Sequence, residues 1–412
     1  MNIKKNKQIK KFSFYGFFKN LKFFEPYLFI YFLSNGLNFF LIGVLFSIRE
    51  IIVYLFEIPS GVIADYYGKK NELKFCFIMY IISFVLFFIG SDYIIMLFAM
   101  IFYGLGDAFR SGTHKAMIYE YLEQNNQFHL KNKVYGYTRS YSKMGSALSS
   151  FISIIIILNL DQYRKIFLFS VVPYIIDFLL INSYPESLNN KIETELSVRK
   201  VLSLMKIQIK SIFNNLRLNL IIINSSVYNS IYSGIKDYIQ PVIVGFILLH
   251  IGEVALGVDE LTKITLGLLY GLFSIGSVIA SRYSYKLNNY YSSEKIMKST
   301  FIIFAFFLFI VAAGIRYDLP IMVISIYFFI YISKDLRKIH LVEFAGNNMA
   351  KEERATVMSY NNQLKSTLLI VISPILGFIA DTWGISSMFI IVGTFLLVIY
   401  ILFKNFESKI IV

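Results

Sequence analysis

Long apolar runs separated by short polar breaks dominate the chain, and no strand-like alternation competes with them. Runs near 26–48, 50–66, 74–90, 93–118, 135–158 and 166–184 each approach the roughly 20 residues that a helix needs to cross a bilayer. A polar stretch from about Pro185 to Lys210 follows, and similar runs return near 215–247, 264–285, 296–315, 319–340, 357–380 and 385–404. The pattern predicts an all-α membrane protein with twelve transmembrane helices in two six-helix bundles. The expected layout is a basic cytoplasmic tail over 1–24, bundles over 25–185 and 213–406, a cytoplasmic linker over 186–212, and a short cytoplasmic tail over 407–412. Such duplication is characteristic of transporters that bind solute between their halves.

Composition agrees: 56% of residues are hydrophobic, more than a soluble core could hide. The formal charge of +14 would suggest nucleic acid if the bases formed one surface, but they fall mostly in short loops and near the amino terminus, so no nucleic-acid partner is expected. Placing the amino terminus in the cytoplasm puts Lys69, Lys70, Lys74, Lys131, Lys133, Lys286, Lys295, Lys298, Lys351, Arg354 and Lys404 inside. It leaves only bases such as Arg164, Lys165, Lys263 and Arg316 outside, as the positive-inside rule requires. Both termini are then cytoplasmic, in a multi-pass protein of the cell membrane. Lys4, Lys5, Lys7, Lys10 and Lys11 resemble the start of a signal peptide, but no small-residue cleavage site follows before Arg49, so this segment is read as a retained tail. Cys76 is the only cysteine, which excludes an internal disulfide and a cysteine-based zinc site.

One segment carries a demanding order of glycine, acid and base: Gly61-Val-Ile-Ala-Asp65-Tyr-Tyr-Gly68-Lys69-Lys70, introduced by Glu57-Ile-Pro59-Ser60. The glycines allow close backbone approach, and the lysines hold this helix end in the cytoplasm.

Charges inside the runs form a second class of candidates, because each costs about 2.5–3.5 kcal/mol at the bilayer centre unless it faces a partner or a cavity. Asp107, Arg110 and His114 are spaced to share one helical face, with Asp107 and Arg110 able to neutralise each other. Glu57 and Asp177 have no obvious opposite charge nearby in sequence, although Lys143 on another span is a possible partner for Asp177. With Asp107 and His114 they are the proton-coupling candidates, the alternative being packing hydrogen bonds. Arg110, Lys143, Lys236, Lys334, Arg337, Lys338 and Lys365 outnumber the acids, which suits an anionic or zwitterionic solute, although some of these lysines can snorkel. Asn35, Asn38, Tyr228, Asp335 and Asn361 complete the substrate-cavity candidates. Buried amides also hold membrane helices together, and the many aromatics are expected to face lipid or the interfacial belts.

With this loop motif after the second span and its six-plus-six layout, the chain resembles the major facilitator superfamily of secondary transporters over nearly its whole length. Gly61, Asp65, Gly68, Lys69 and Lys70 match the family's loop motif position by position. Further family-like stretches are Ser111-Gly112, Arg354-Ala-Thr-Val-Met-Ser359 and Pro374-Ile-Leu-Gly377-Phe-Ile-Ala-Asp381-Thr-Trp-Gly384. The resemblance implies a cytoplasmic latch in which Asp65 caps a neighbouring helix end. Two departures stand out. The second-half counterpart of the motif has Ser281 in place of the acid, and the fifth span, with Gly136 and Gly145, lacks the glycine- and proline-rich signature of many drug antiporters.

An enzyme would need a nucleophile with its base, or a metal-ligand cluster, and neither is present. The histidines are dispersed, and no phosphate-cradling loop precedes a lysine. No cofactor and no metal are expected, and the chain is not an enzyme. The functional expectation is a monomeric secondary carrier of a small solute, working by alternating access with proton coupling, with export favoured over import. An uptake carrier for an anionic or zwitterionic metabolite and a non-transporting receptor or scaffold on the same fold remain as alternatives.

Overall fold

The structure, a computed structural model, describes residues 5–189, 216–251, 257–348 and 354–411. All regular elements among them are helical. The order is α1 (Lys7–Phe18), α2 (Leu28–Ser34), α3 (Phe39–Tyr67), α4 (Lys69–Ile89), α5 (Tyr93–Arg110), α6 (Thr113–Gln124), α7 (Lys131–Leu158) and α8 (Lys165–Asn182). It continues with α9 (Leu216–Ile235), α10 (Ile239–Ile251), α11 (Val258–Tyr283), α12 (Ser293–Arg316), α13 (Pro320–Asn348) and α14 (Arg354–Ile411), the last broken at Gly384, where φ is 82°. Most of the expected linker lies outside the described residues.

By length and composition, eight helices among the described residues can cross a membrane, rather than the expected twelve. The other expected passages fall on interrupted or charged segments. The first, at 26–48, is divided between α2 and the start of α3, another between α9 and α10, α13 carries Lys334, Asp335, Arg337 and Lys338, and the last two share α14, interrupted at Gly384.

The amino-terminal segment differs most from expectation. Residues read as a cytoplasmic tail form α1, which packs along α7 and α8 and buries Ile9, Phe12, Ser13, Tyr15 and Gly16. The run at 26–48 is not one span either, since its second part belongs to the 29-residue helix α3. The lysines hid α1 from a hydropathy reading, yet its buried side is mostly apolar and Lys11 reaches out to the Ser183 carbonyl at 2.6 Å.

The described residues fall into two compact units that do not follow the sequence halves. One comprises those within Met1–Asn35, Ile48–Val201 and Lys263–Ser274; the other those within Gly36–Ser47, Leu202–Thr262 and Ile275–Val412. In the first, α4 packs on α5 and α8. Its centre is aromatic rather than aliphatic: the Phe87 and Phe167 rings lie 4.8 Å apart, Phe84 and Tyr174 4.8 Å, and Phe24 and Phe84 5.1 Å. Aromatics expected towards lipid therefore fill this interior, where large rigid rings bury much area at little entropic cost. In the second unit, α14 packs on α9 and α12, and Leu218, Ile221, Ile222, Met297, Leu341, Phe344 and Val357 form a buried cluster.

Candidate functional site

The site in the first unit begins at the irregular stretch between α1 and α2. The Asn20 side chain donates to the Gly16 carbonyl at 2.6 Å, taking an acceptor that a continuing helix would use. Pro26, at the start of the following 3₁₀ turn, disfavours helical backbone in the residue before it. The chain between α1 and α2 is thus irregular, and it carries Lys19 and Lys22.

Close helix crossings bring the remaining groups to this break. A Cβ at Gly104 would lie 2.9 Å from the Arg49 carbonyl oxygen, and one at Gly106 would lie 2.8 Å from the Tyr80 ring. These glycines allow α3 and α4 to approach α5 closely, so Arg49 and Tyr80 both reach Asp107. Asp107 accepts from Arg49 Nε at 3.1 Å, from Arg110 Nη2 at 3.2 Å and from the Tyr80 hydroxyl at 2.6 Å. Arg110 Nε donates to the Tyr80 oxygen at 2.9 Å, while Lys22 donates to the Tyr103 hydroxyl at 3.0 Å. One carboxylate therefore orients two guanidinium groups. Lys19, Asn20, Lys22, Tyr80, Arg110 and Tyr174 line a small cavity, with three cationic side chains and no carboxylate in its wall.

Asp177 lies on α8, three residues after Tyr174, whose hydroxyl donates to the Lys19 carbonyl at 3.1 Å. Its side chain is wholly buried, and neither carboxyl oxygen has a hydrogen-bond partner among the described residues. Lys143, on α7, makes no hydrogen bond to it. Glu57 is half-buried on α3, which runs helically through Pro59.

His114 does not continue the stripe of Asp107 and Arg110. Helix α5 ends at Arg110, and Gly112 takes φ = 81° before α6 starts. The His114 ring stacks on Tyr15 at 3.6 Å, and Nε2 lies 3.2 Å from the Tyr184 hydroxyl. It is a half-buried group packed among rings.

In the loop motif, Gly68 adopts φ = 94°, a left-handed conformation that favours glycine. Lys69 pairs with Glu120 at 2.8 Å. Lys70 donates to Glu186 at 2.5 Å and to the Tyr184 carbonyl at 2.9 Å. Both lysines thus tie down neighbouring chain within the first unit. Asp65 is half-buried and has no hydrogen bond or ion pair among the described residues.

The remaining candidates separate into packing groups and charges. Asn35 donates to the Tyr31 carbonyl at 2.7 Å, and Asn38 accepts from the Leu41 amide at 2.9 Å; both sit at helix ends. Asn361 Oδ1 accepts from Ser226 at 3.2 Å, joining α9 to α14. Lys236 pairs with Asp237 at 3.1 Å, and Lys334 lies 3.8 Å from Asp335 and 5.5 Å from the Tyr232 ring centre. Arg337 is buried, donates to Thr300 and Asn224 at 2.6 Å each, and lies 4.1 Å from the ring centre of Tyr228, whose hydroxyl is 2.5 Å from Ser333.

Lys19, Lys22, Arg49, Tyr80 and Tyr174 were outside the sequence candidates. The signal that could have found Lys19 and Lys22 is the polar interruption Lys19-Asn-Leu-Lys22 within an aromatic run; Arg49, Tyr80 and Tyr174 join them only through the folded crossings.

A helical membrane protein with charged groups gathered inside its spans has the construction of a solute transporter. The match to the Major Facilitator Superfamily extends over residues 13–374. The chain belongs to that superfamily and is a membrane transporter, not an enzyme. It is 25% identical over 388 residues to the uncharacterized MFS-type transporter YxaM of Bacillus subtilis (strain 168), covering 92% of this chain and 90% of that protein. Its fold is similar to that of the nucleoside transporter NupG, at TM-score 0.75 and 13% identity over 98% of this chain and 99% of that one. It is also similar to a D-xylose-proton symporter, at TM-score 0.62 and 13% identity over 94% and 96%.

Proposed function

We propose that the protein is a secondary active carrier that moves a small anionic solute by alternating access, coupled to protons, through twelve spans in two six-helix bundles. The observation that supports this reading is the cavity beside the stretch between α1 and α2, with Lys19, Lys22 and Arg110 in its wall and no carboxylate. The Asp107 hydrogen bond presents Arg110 in a fixed orientation, and a guanidinium fork suits a carboxylate or phosphate. The two lysines add point charges at the same place. Asp177 is the proposed proton carrier, since a buried carboxyl without donors around it holds charge only at high cost. The proposed sidedness places Gly61–Lys70 and both termini in the cytoplasm, with export as the transport direction.

The test is a thermal-shift screen of the purified protein against organic anions, phosphates, sugars and cationic dyes, followed by flux in oriented vesicles under an imposed pH gradient. An organic anion should raise the unfolding midpoint, and Arg110→Ala should weaken its binding about tenfold or more, the loss of one charged hydrogen bond. Asp177→Asn should leave binding in place and uncouple flux from the gradient. Stabilisation by cationic dyes alone would overturn the anion assignment, and flux indifferent to the gradient would overturn proton coupling.

A further inference from the structure

The stretch Gly377-Phe-Ile-Ala-Asp381-Thr-Trp-Gly384 repeats the pattern of Gly61-Val-Ile-Ala-Asp65-Tyr-Tyr-Gly68: glycine, isoleucine, alanine, aspartate and glycine recur at the same spacing. Both copies end a helical stretch at a glycine of positive φ, 94° at Gly68 and 82° at Gly384. Their aspartates, however, are in opposite conditions.

Asp381 is engaged. Its two oxygens accept from the backbone amides of Phe39 at 3.0 Å and Phe40 at 2.8 Å, the first two residues of α3. Those amides have no acceptor within their own helix, and the positive end of the helix dipole favours an anion there. The crossing of α3 and α14 is tight along its length. A Cβ at Gly377 would collide with the Phe39 carbonyl, a Cβ at Gly43 would collide with the Ser373 carbonyl, and Ser47 donates to the Ile370 carbonyl. Residues 39, 43 and 47 form one row on α3, at the four-residue spacing that shares a helical face.

Asp65 is disengaged. It has no hydrogen bond or ion pair among the described residues, and a Cβ at Gly61 would meet nothing within 4 Å. Helix α3 therefore carries one bound end and one whose matching motif is open.

A second helix end is held with the opposite charge. Lys263, on α11, donates to the Leu160 carbonyl at 3.0 Å, just past the end of α7. A cation at a helix C-terminus is the electrostatic complement of an anion at an N-terminus. Gly267 and Gly271 bring α11 against Ile154 and Phe151 of α7, and Tyr27 donates to the Lys263 carbonyl at 2.9 Å.

We infer that Asp381 and Lys263 are paired helix-end latches that hold the α3–α14 and α7–α11 crossings closed at the ends opposite the Gly61–Lys70 segment, and that they release when the Asp65 end engages. This rests on the alternating-access reading. The test is the rate at which a membrane-impermeant maleimide labels Ser47→Cys, placed in a Cys76→Ser background, in purified protein in detergent. Ser47 is 5% exposed within the closed crossing, so labelling reports its opening. Asp381→Asn and Lys263→Gln should each raise the rate several-fold, while Asp381→Glu should leave it near the parent value. A second comparison covers loss of folding in those variants. Phe39→Pro removes one donated amide at a helix position that tolerates proline, and it should label faster than Phe39→Ala, which keeps the amide. Monodisperse Asp381→Asn protein labelling at the parent rate, or equal rates for the two Phe39 variants, would overturn the latch. Labelling needs neither substrate nor gradient: a protein that opens as expected but carries nothing overturns only the transport reading.

Discussion

Asp107 compensates two arginines at once, so its removal should be costlier than its own burial suggests. Asp107→Asn leaves Arg49 and Arg110 with an amide in place of their shared anion, and breaking a buried charge pair in this way destabilises by about 3 kcal/mol. The expected result is a lower unfolding midpoint in detergent, with Arg49→Gln in the same background recovering part of the loss. Glu186 gives a contrasting case at the surface. Hydrogen bonds from Lys70 and Asn189 hold its carboxyl below the usual glutamate range. Such a group contributes stability above its unfolded value and loses it as pH falls through its lowered folded value. The tie between the loop motif and the end of α8 should therefore hold at neutral pH and fail only on acidification below the ordinary glutamate range, and Glu186→Gln should remove that acid-dependent step from a midpoint-versus-pH profile. The Asp107–Arg110 pair was legible in sequence because its members lie three residues apart on one helix. Arg49 was not, because only the folded crossing brings it to an aspartate 58 positions away.

At the scale of elements, the α4–α5 crossing positions the site through Gly106. A side chain there would press on the ring of Tyr80, whose hydroxyl holds both Asp107 and Arg110. Gly106→Leu should cost about 1–3 kcal/mol by overpacking and weaken solute binding at the same time. Gly136→Ala, at a glycine with nothing within 4 Å, should do neither; thermal unfolding and solute titration check both. Long apolar helices were readable from hydropathy because bilayer thickness imposes their length. Interrupted ones were not. Lys7, Lys10 and Lys11 made α1 look like solvated chain, although the residues between them are buried against α7 and α8. In α5, a regular helical projection carried His114 onto the face of Arg110, but the positive φ at Gly112 turned the chain first.

At the scale of the whole chain, hydropathy located the repeated runs, and the family motif identified the superfamily. It could not show that α3 and α11 each contribute separate portions to the two compact units. That division depends on contacts such as those of residues 39 and 40 with Asp381, more than 340 positions away, and local patterning carries no record of pairings at such distance. The duplicated glycine–aspartate pattern was present in the sequence, yet its meaning rests on which helix end each aspartate meets.

The break that carries Lys19 and Lys22 also bears on how the chain enters the membrane during synthesis. Helix α1 is 12 residues long, about 18 Å at the helical rise, and the two lysines follow directly. Each lysine deep in an emerging segment opposes insertion by about 2.5–3.5 kcal/mol. The groups around them, Tyr103 on α5, which accepts from Lys22, and Tyr174 on α8, which lines the same cavity, are translated later. A chain truncated after α3 should therefore integrate its first passage poorly in a glycosylation-mapping assay, a chain extended through α8 should integrate it well, and replacing both lysines with leucine should abolish the difference. The basic break would then be a reason for the ribosome-bound chain to wait for its partners before its first passage settles in lipid.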